Sequence, residues 1–193
     1  MERPEEMIAG TLPAQIPASK EQELVREAQA LSQEAWAEIY DRYYMKIFDY
    51  CYARTGNRTV SEDLASDVFV EALRGIERYQ YRGLPISSWL YRIAHNITVD
   101  HFRHNARRPT VPLLDESENP RLQSPDQADS SILWQDMHDA VDELTDDQQQ
   151  VIILRFYQGL SHEETAAVMG RRSGAVRVLQ KRALNSLKRL MVA

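Results

Sequence analysis

The chain has 193 residues, 43% of them hydrophobic, a formal net charge of −6 and one cysteine, Cys51. That is enough apolar material for a core, which excludes a wholly disordered chain, and a lone cysteine can form neither an internal disulfide nor a zinc site of its own. No run approaches the length of a membrane span, and Met1–Lys20 lacks a basic start leading into an apolar core; no signal peptide is expected, and the protein is expected in the cytoplasm.

The sign of the charge alternates along the chain. Residues 1–71 carry −7, 72–108 carry +5, 109–147 carry −10 and 148–193 carry +6. Two basic blocks held apart by acid suggest two contact surfaces for a polyanion, because local potential matters more than the total.

Residues 1–20 hold three prolines and no apolar period, and are expected to be a disordered tail. From Glu21 the pattern is helical: Leu24, Ala28 and Leu31, then Trp36, Ile39, Tyr40, Tyr43, Ile47 and Tyr50, recur at three and four. Gly56-Asn57 breaks the run, and Ser61 is expected to cap the next helix, with Glu62 and Asp63 in its first turn. That helix buries Leu64, Val68, Ala72 and Ile76. Beside them Asp63, Asp67 and Glu71 stand four apart, a spacing that costs about 0.2–0.5 kcal/mol per like-charged pair. A solvated face and a docking surface for a basic partner helix both fit that stripe.

From Tyr79 to Arg108 the rings of Tyr79, Tyr81, Trp89, Tyr91 and Phe102 alternate with Arg78, Arg82, Arg92, Arg103, Arg107 and Arg108. Aromatic faces receive unstacked bases and guanidinium groups follow phosphates, as a single-stranded nucleic acid requires. An ordinary helix with rings inward and arginines in water also fits. Arg82-Gly83-Leu84-Pro85 signals a turn, after which Ser87 or Ser88 is expected to cap a helix. Leu90, Ile93, Ala94, Ile97 and Phe102 form its apolar side, with Arg92, Asn96 and Arg103 turned elsewhere. Pro109 ends it.

Residues 109–131 are rich in Pro, Asp, Glu, Ser and Asn and read as a flexible acidic linker. An amphipathic helix is expected from Ile132 to Leu144. Thr145 and Gln148 form one capping box and Ser161 and Glu164 another, with Gly159 and Gly170 ending the helices they open. A final helix from about Ser173 to Leu190 places Val176, Leu179, Ala183, Leu187 and Leu190 inward. Arg177, Lys181 and Lys188 lie opposite, and Arg171, Arg172 and Ser173 stand at its start. Two helices joined by a glycine turn, the second basic, make a helix-turn-helix pattern. In that reading Arg177 and Lys181 face bases or phosphates, and Ala175 and Val178 can meet a thymine methyl. A basic surface helix in a small bundle is the plainer reading.

Catalytic signatures are missing. His162-Glu163-Glu164-Thr165-Ala166 has alanine where a zinc protease needs its second histidine. His95, His101 and His104 sit among arginines with Asp100 as the nearby acid, a poor metal set. No enzyme activity, metal or cofactor is expected.

These features together resemble a bacterial RNA polymerase sigma factor of the extracytoplasmic-function group, over about Ala35–Arg108 and Ile132–Leu190. The segments SEDLASDVFVEAL, YQYRGLPISS, WLYRIAHNITVDHFR and LTDDQQQVIILRFYQGLSHEETAAVMGRRSGAVRVLQKRAL carry the likeness. The resemblance implies an all-α fold: a region-two-like domain over residues 21–108, a flexible acidic linker over 109–131 and a region-four-like helix-turn-helix domain over 132–193. It implies that Asp63, Asp67 and Glu71 dock on the clamp helices of the largest subunit of core RNA polymerase, with the flap of the second-largest subunit a further contact. Tyr79, Tyr81, Arg82, Ser87, Trp89, Arg92, Asn96, Arg103, Arg107 and Arg108 would open and hold the non-template strand of the minus-ten promoter element. Arg171, Arg172, Ser173, Ala175, Arg177, Val178, Lys181 and Arg182 would read the minus-thirty-five element as duplex. An anti-sigma factor is the further partner it implies. The chain departs from the family at Ala175, Leu179 and Leu184, where threonine, arginine and arginine are usual. A stand-alone helix-turn-helix activator is the rival reading, and leaves the acidic helix and the aromatic stretch without a role; a nuclease using the three histidines is a second.

Overall fold

The computed structural model describes residues 17–107, 141 and 143–192, and its regular elements there are all helical. The acidic linker, Arg108 and most of the helix expected at Ile132–Leu144 lie outside the described residues, as do residues 1–16 and the side chain of Arg107.

The first half is built from α1 (Ala18–Gln29), α2 (Gln33–Thr55), α3 (Arg58–Gly75), a 3-10 turn (Ile76–Arg78) and α4 (Ile86–Arg107). Helix α1 begins three residues before the expected Glu21. The stripe running from Leu24 to Tyr50 belongs to two helices, because Leu31 takes a left-handed backbone (φ 59°) and ends the first. There the Leu31 N–H donates to the Ala28 carbonyl and the Ser32 N–H to that of Glu27. Ser32 then caps α2, accepting from the Ala35 N–H at 3.2 Å.

Helix α3 is capped by Asn57, not Ser61: Asn57 Oδ1 accepts from the Val60 N–H at 2.9 Å. Asparagine is as good a cap as serine, and standing four residues earlier it takes the role. Ser61 lies inside the first turn, donating to the Asn57 carbonyl at 2.6 Å. Nor does Ser87 or Ser88 cap α4, which already starts at Ile86. The Ile86 N–H is instead satisfied by a carboxylate from another helix, Glu21 Oε1 at 2.7 Å.

Helices α2, α3 and α4 enclose the core of this half, with Ile39, Ile47, Tyr50, Cys51, Val68 and Leu90 at 0–1% exposure. Burial pushes the Cys51 thiol up to about 12, so it is un-ionised near neutrality and acts as packing. Tyr91, grouped by sequence with the nucleic-acid aromatics, is also core. Tyr40 and Phe102, expected inward, are 45% and 39% exposed.

The second half comprises α5 (Asp146–Ile152), a π-helical turn (Ile153–Tyr157), α6 (His162–Met169) and α7 (Ser173–Val192). Both capping boxes form: the Thr145 N–H donates to Gln148 Oε1 at 3.3 Å, and the Ser161 N–H to Glu164 Oε2 at 2.7 Å. Gly170 makes the turn between α6 and α7 with a left-handed φ of 62°, a conformation open to glycine at no steric cost. The π turn, with the Gln158 N–H reaching back to the Ile153 carbonyl, breaks the 3.6-residue register. Phe156, two residues after the buried Leu154, is 37% exposed there. Leu190, in the last turns of α7, is likewise 41% exposed.

The halves pack against each other. Ile153, Leu154, Leu160 and Val168 join the core of the first half rather than that of the second, which among the described residues consists of Val141, Leu144, Val151, Ile152, Ala166, Val176, Ala183 and Leu187. Tyr91 donates its hydroxyl to Gln158 Oε1 at 2.8 Å. The Arg54 guanidinium, 3% exposed, donates to Gln149 Oε1 at 2.6 Å and reaches Asp146 at 3.4 Å.

Candidate nucleic-acid interface

Three surfaces emerge from these elements. On α3, Asp63, Asp67 and Glu71 are exposed along one side, because Leu64, Val68 and Ala72 bury the other. Glu71 pairs with Arg74 at 2.7 Å, and Asp67 lies one turn before it. Beside the acids Val70 and Leu73 are 46% and 48% exposed. Across the helix pair, Tyr40 stacks on Tyr44 (4.8 Å between centroids) and tilts against Phe69 (5.0 Å). An acidic stripe bordered by uncovered apolar side chains suits a basic, partly apolar partner helix better than water. Val70 and Leu73 carry no signal of this in the sequence, since apolar residues on a helix are ordinarily taken up by packing.

The second surface is a cavity of about 470 Å³ between α3 and α4, lined by Glu71, Gly75, Arg78, Tyr79, Trp89, Ile93, Asn96, Ile97 and Asp100. It brings together Tyr79, Trp89 and Asn96 of the expected set. Trp89 is half-buried; its ring lies so close over Gly75 that a Cβ there would stand 3.3 Å from Cζ2. Tyr79 packs on the same indole at 4.7 Å. Burial first, then the negative charge of Glu21, pushes the Tyr79 phenol up to about 12, so the ring is neutral at physiological pH.

Arg92, Asn96 and Arg103 are exposed and follow one line along α4, spaced four and seven apart. Arg103 leans to Asp100 at 3.4 Å. Arg82 is exposed in the loop and Ser87 half-exposed. Tyr81 turns its hydroxyl to the Ala18 carbonyl on α1, at 3.4 Å. The three histidines part company: His95 faces Tyr50 at 3.4 Å, His101 stands edge-on to Phe102, and His104 is exposed.

The third surface is the first half of α7. Arg171, Arg172, Ala175, Arg177, Val178, Lys181 and Arg182 are exposed, and Ser173 partly so, while Val176 and Ala183 anchor the helix. Glu163 of α6 braces it, accepting from the Ser173 hydroxyl at 3.0 Å and pairing with Arg177 at 3.7 Å. The Ser173 hydroxyl is the main influence holding the Glu163 carboxyl below its usual range, with Arg177 adding to it. Arg171 is drawn to Asp147 at 2.5 Å. This face of α7 is therefore pre-set by acids on α5 and α6.

A helical pair with an acidic edge and an aromatic cavity, joined to a helix-turn-helix, defines a two-module protein of transcription. The family models agree: Sigma-70 region 2 matches residues 39–108, and Sigma-70 region 4 matches 140–189. The chain belongs to the extracytoplasmic-function RNA polymerase sigma factors. It is 40% identical over 172 residues to the ECF RNA polymerase sigma factor BldN of Streptomyces coelicolor, covering 88% of this chain and 65% of that one. It is 34% identical to the ECF RNA polymerase sigma factor SigD of Mycobacterium tuberculosis, over 88% of this chain and 83% of that one. In fold it is similar to CnrH, solved in complex with the cytosolic domain of CnrY (TM-score 0.69, 21% identity, 91% of this chain and 97% of that one). No helix among the described residues is long and apolar enough to cross a membrane.

Proposed function

We propose that the protein binds core RNA polymerase and directs it to promoters, with the work divided among the three surfaces. The acidic edge of α3, Asp63, Asp67 and Glu71, docks on basic clamp helices of the largest subunit, and Val70 and Leu73 supply the apolar part of that contact. The second half meets the flap of the second-largest subunit. The cavity beside Trp89 takes an unstacked base of the minus-ten non-template strand, while Arg92 and Arg103 follow its phosphates. Helix α7 lies in the major groove at the minus-thirty-five element. An anti-sigma factor covers these surfaces when transcription is off.

The observation that carries this reading is the cavity itself. Its walls offer an indole, a phenol and the Asn96 amide beside an exposed line of arginines. A base stacked on an aromatic gains about 1–3 kcal/mol, which helps offset the cost of unpairing. Neutral phenol and indole faces accept any base, and Asn96, with both a donor and an acceptor, is the group able to discriminate among them.

Strand opening by holoenzyme tests it. A 2-aminopurine placed at successive positions of the minus-ten non-template strand is expected to change in emission at one position with the unmodified protein. It should not do so with Trp89→Ala, although that variant still assembles with core. Equal opening by both proteins would defeat the assignment.

A further inference from the structure

Helix α1 contributes no residue to the three surfaces, yet it is bonded to the segment that shapes the cavity. Glu21, in its first turn, is 3% exposed and accepts from the Ile86 N–H at 2.7 Å. A buried carboxylate is costly without a strong partner. Here it meets an N–H that α4 cannot satisfy internally, at the end where the helix dipole favours an anion. Gln29, in the last turn, spends both amide protons on one short stretch. Its Nε2 donates to the Ile76 carbonyl at 3.1 Å and to the Tyr79 carbonyl at 2.8 Å. The Tyr81 hydroxyl adds a longer bond to Ala18. Tyr79 is thus gripped twice, its carbonyl by Gln29 and its ring by Trp89.

Each of these bonds joins segments 47 or more residues apart, from the two ends of one helix to the two ends of the loop. The loop between has little regular structure of its own and includes Gly83 at a φ of 78°, a left-handed conformation that glycine reaches without steric cost. Its stem positions are fixed from outside. Displacing the Tyr79 backbone by an ångström would shift the phenol against the indole, and with it one wall of the cavity.

We infer that α1 is a positioning clamp, in which Glu21 and Gln29 set the cavity's shape and so its base preference without touching DNA. The inference rests on the cavity being the minus-ten site. Gln29→Glu is the sharpest probe, since it keeps size and shape but sets a carboxylate against two carbonyls. Glu21→Gln keeps an acceptor for Ile86, whereas Glu21→Leu removes it.

Holoenzyme made with each full-length variant is used to select from single-stranded DNA with a randomised segment, with core polymerase alone as background. The unmodified protein is expected to enrich one base at a defined position. Gln29→Glu and Glu21→Leu should flatten that preference about tenfold, the weight of roughly one base–aromatic stack. Glu21→Gln should retain most of it, and affinity for core should stay unchanged in all three. If Gln29→Glu lowers core affinity, Gln29→Met, which loses the donors without adding charge, replaces it. Full preference in the folded clamp variants overturns the clamp alone. Loss of core affinity and helicity in step with preference, in Gln29→Met as well, reduces the two residues to a folding role and also overturns it. No preference in the unmodified protein removes the cavity assignment and the clamp together.

Discussion

Gly75 is where a single added carbon would press on one wall of the cavity. It closes α3 without a positive φ, so alanine is tolerated by the backbone, but its Cβ would press on Trp89 at 3.3 Å. Alanine's better helix propensity, worth up to about 1 kcal/mol, works against the crowding, so Gly75→Ala is expected to leave stability within about 1 kcal/mol. Its effect should fall on the indole: minus-ten strand affinity, measured on a forked template, drops several-fold while core binding is unchanged. Arg177 offers a second test at this scale. In the proposed reading it lies where α7 enters the groove, and Glu163 pairs with it at 3.7 Å. Arg177→Ala is expected to cost about 1–3 kcal/mol at the minus-thirty-five element and nothing in core affinity, which a gel shift and a core pull-down measure separately.

At the scale of the helix, the acidic edge of α3 is the element whose role depends least on shape. Asp67 and Glu71 are exposed, and the bond they would forfeit, Glu71 to Arg74, is a surface pair worth under about 1 kcal/mol. Asp67→Arg combined with Glu71→Arg should therefore keep the helical signal and the melting temperature, yet abolish capture by core polymerase. Retained capture would move docking to another face.

Most helices were legible in the sequence because their buried residues repeat at three and four and because Ser161, Thr145 and Gly170 carry local start and stop chemistry. Where reading failed, the cause was physical in each case. Leu31 ends α1 in a conformation usually left to glycine, so no residue type announced the stop. Asn57 and Ser61 are both competent caps, and only the structure shows the earlier one taken. The π turn shifts register by less than a residue per turn, enough to expose Phe156. The acids of α3 and the residues of α7 could be located by spacing alone. Glu21 and Gln29 could not, because a hydrogen bond to a backbone group decades of residues away leaves no pattern near either partner.

For the whole molecule, the contact between halves sets what must change when DNA is read. Minus-ten and minus-thirty-five elements lie about 25 base pairs apart, roughly 85 Å of duplex at 3.4 Å each, so under the proposed function the halves separate for both to be engaged. The 34 residue steps from Arg107 to Val141 have a contour length of at most roughly 120 Å at about 3.5 Å each, longer than that separation. Acid should assist it. His95 sits at this contact, held below the ordinary imidazole value first by burial and then by Arg54, against the opposing pull of Asp147 and Asp146. Neutral His95 suits the packed form. That contribution is complete above about pH 6.5 and weakens as pH falls from there toward the lowered value, because the separated form binds the proton better. Scattering should show a larger radius of gyration at acid pH than at neutral pH, and His95→Gln should flatten the dependence.

The sharing of one core by both halves bears on how the protein comes apart. Ile153, Leu154, Leu160 and Val168 belong by sequence to the helix-turn-helix and by packing to the other half. Among the described residues the second half keeps the cluster around Val176, while these four apolar side chains are given over to the other core. Melting should therefore be cooperative across the pair: calorimetry is expected to give one heat-absorption peak for the full chain, and a broad, low-temperature one for residues 140–193 alone. Two modules that act at separate places on DNA would then be, in the absence of polymerase, a single folding unit.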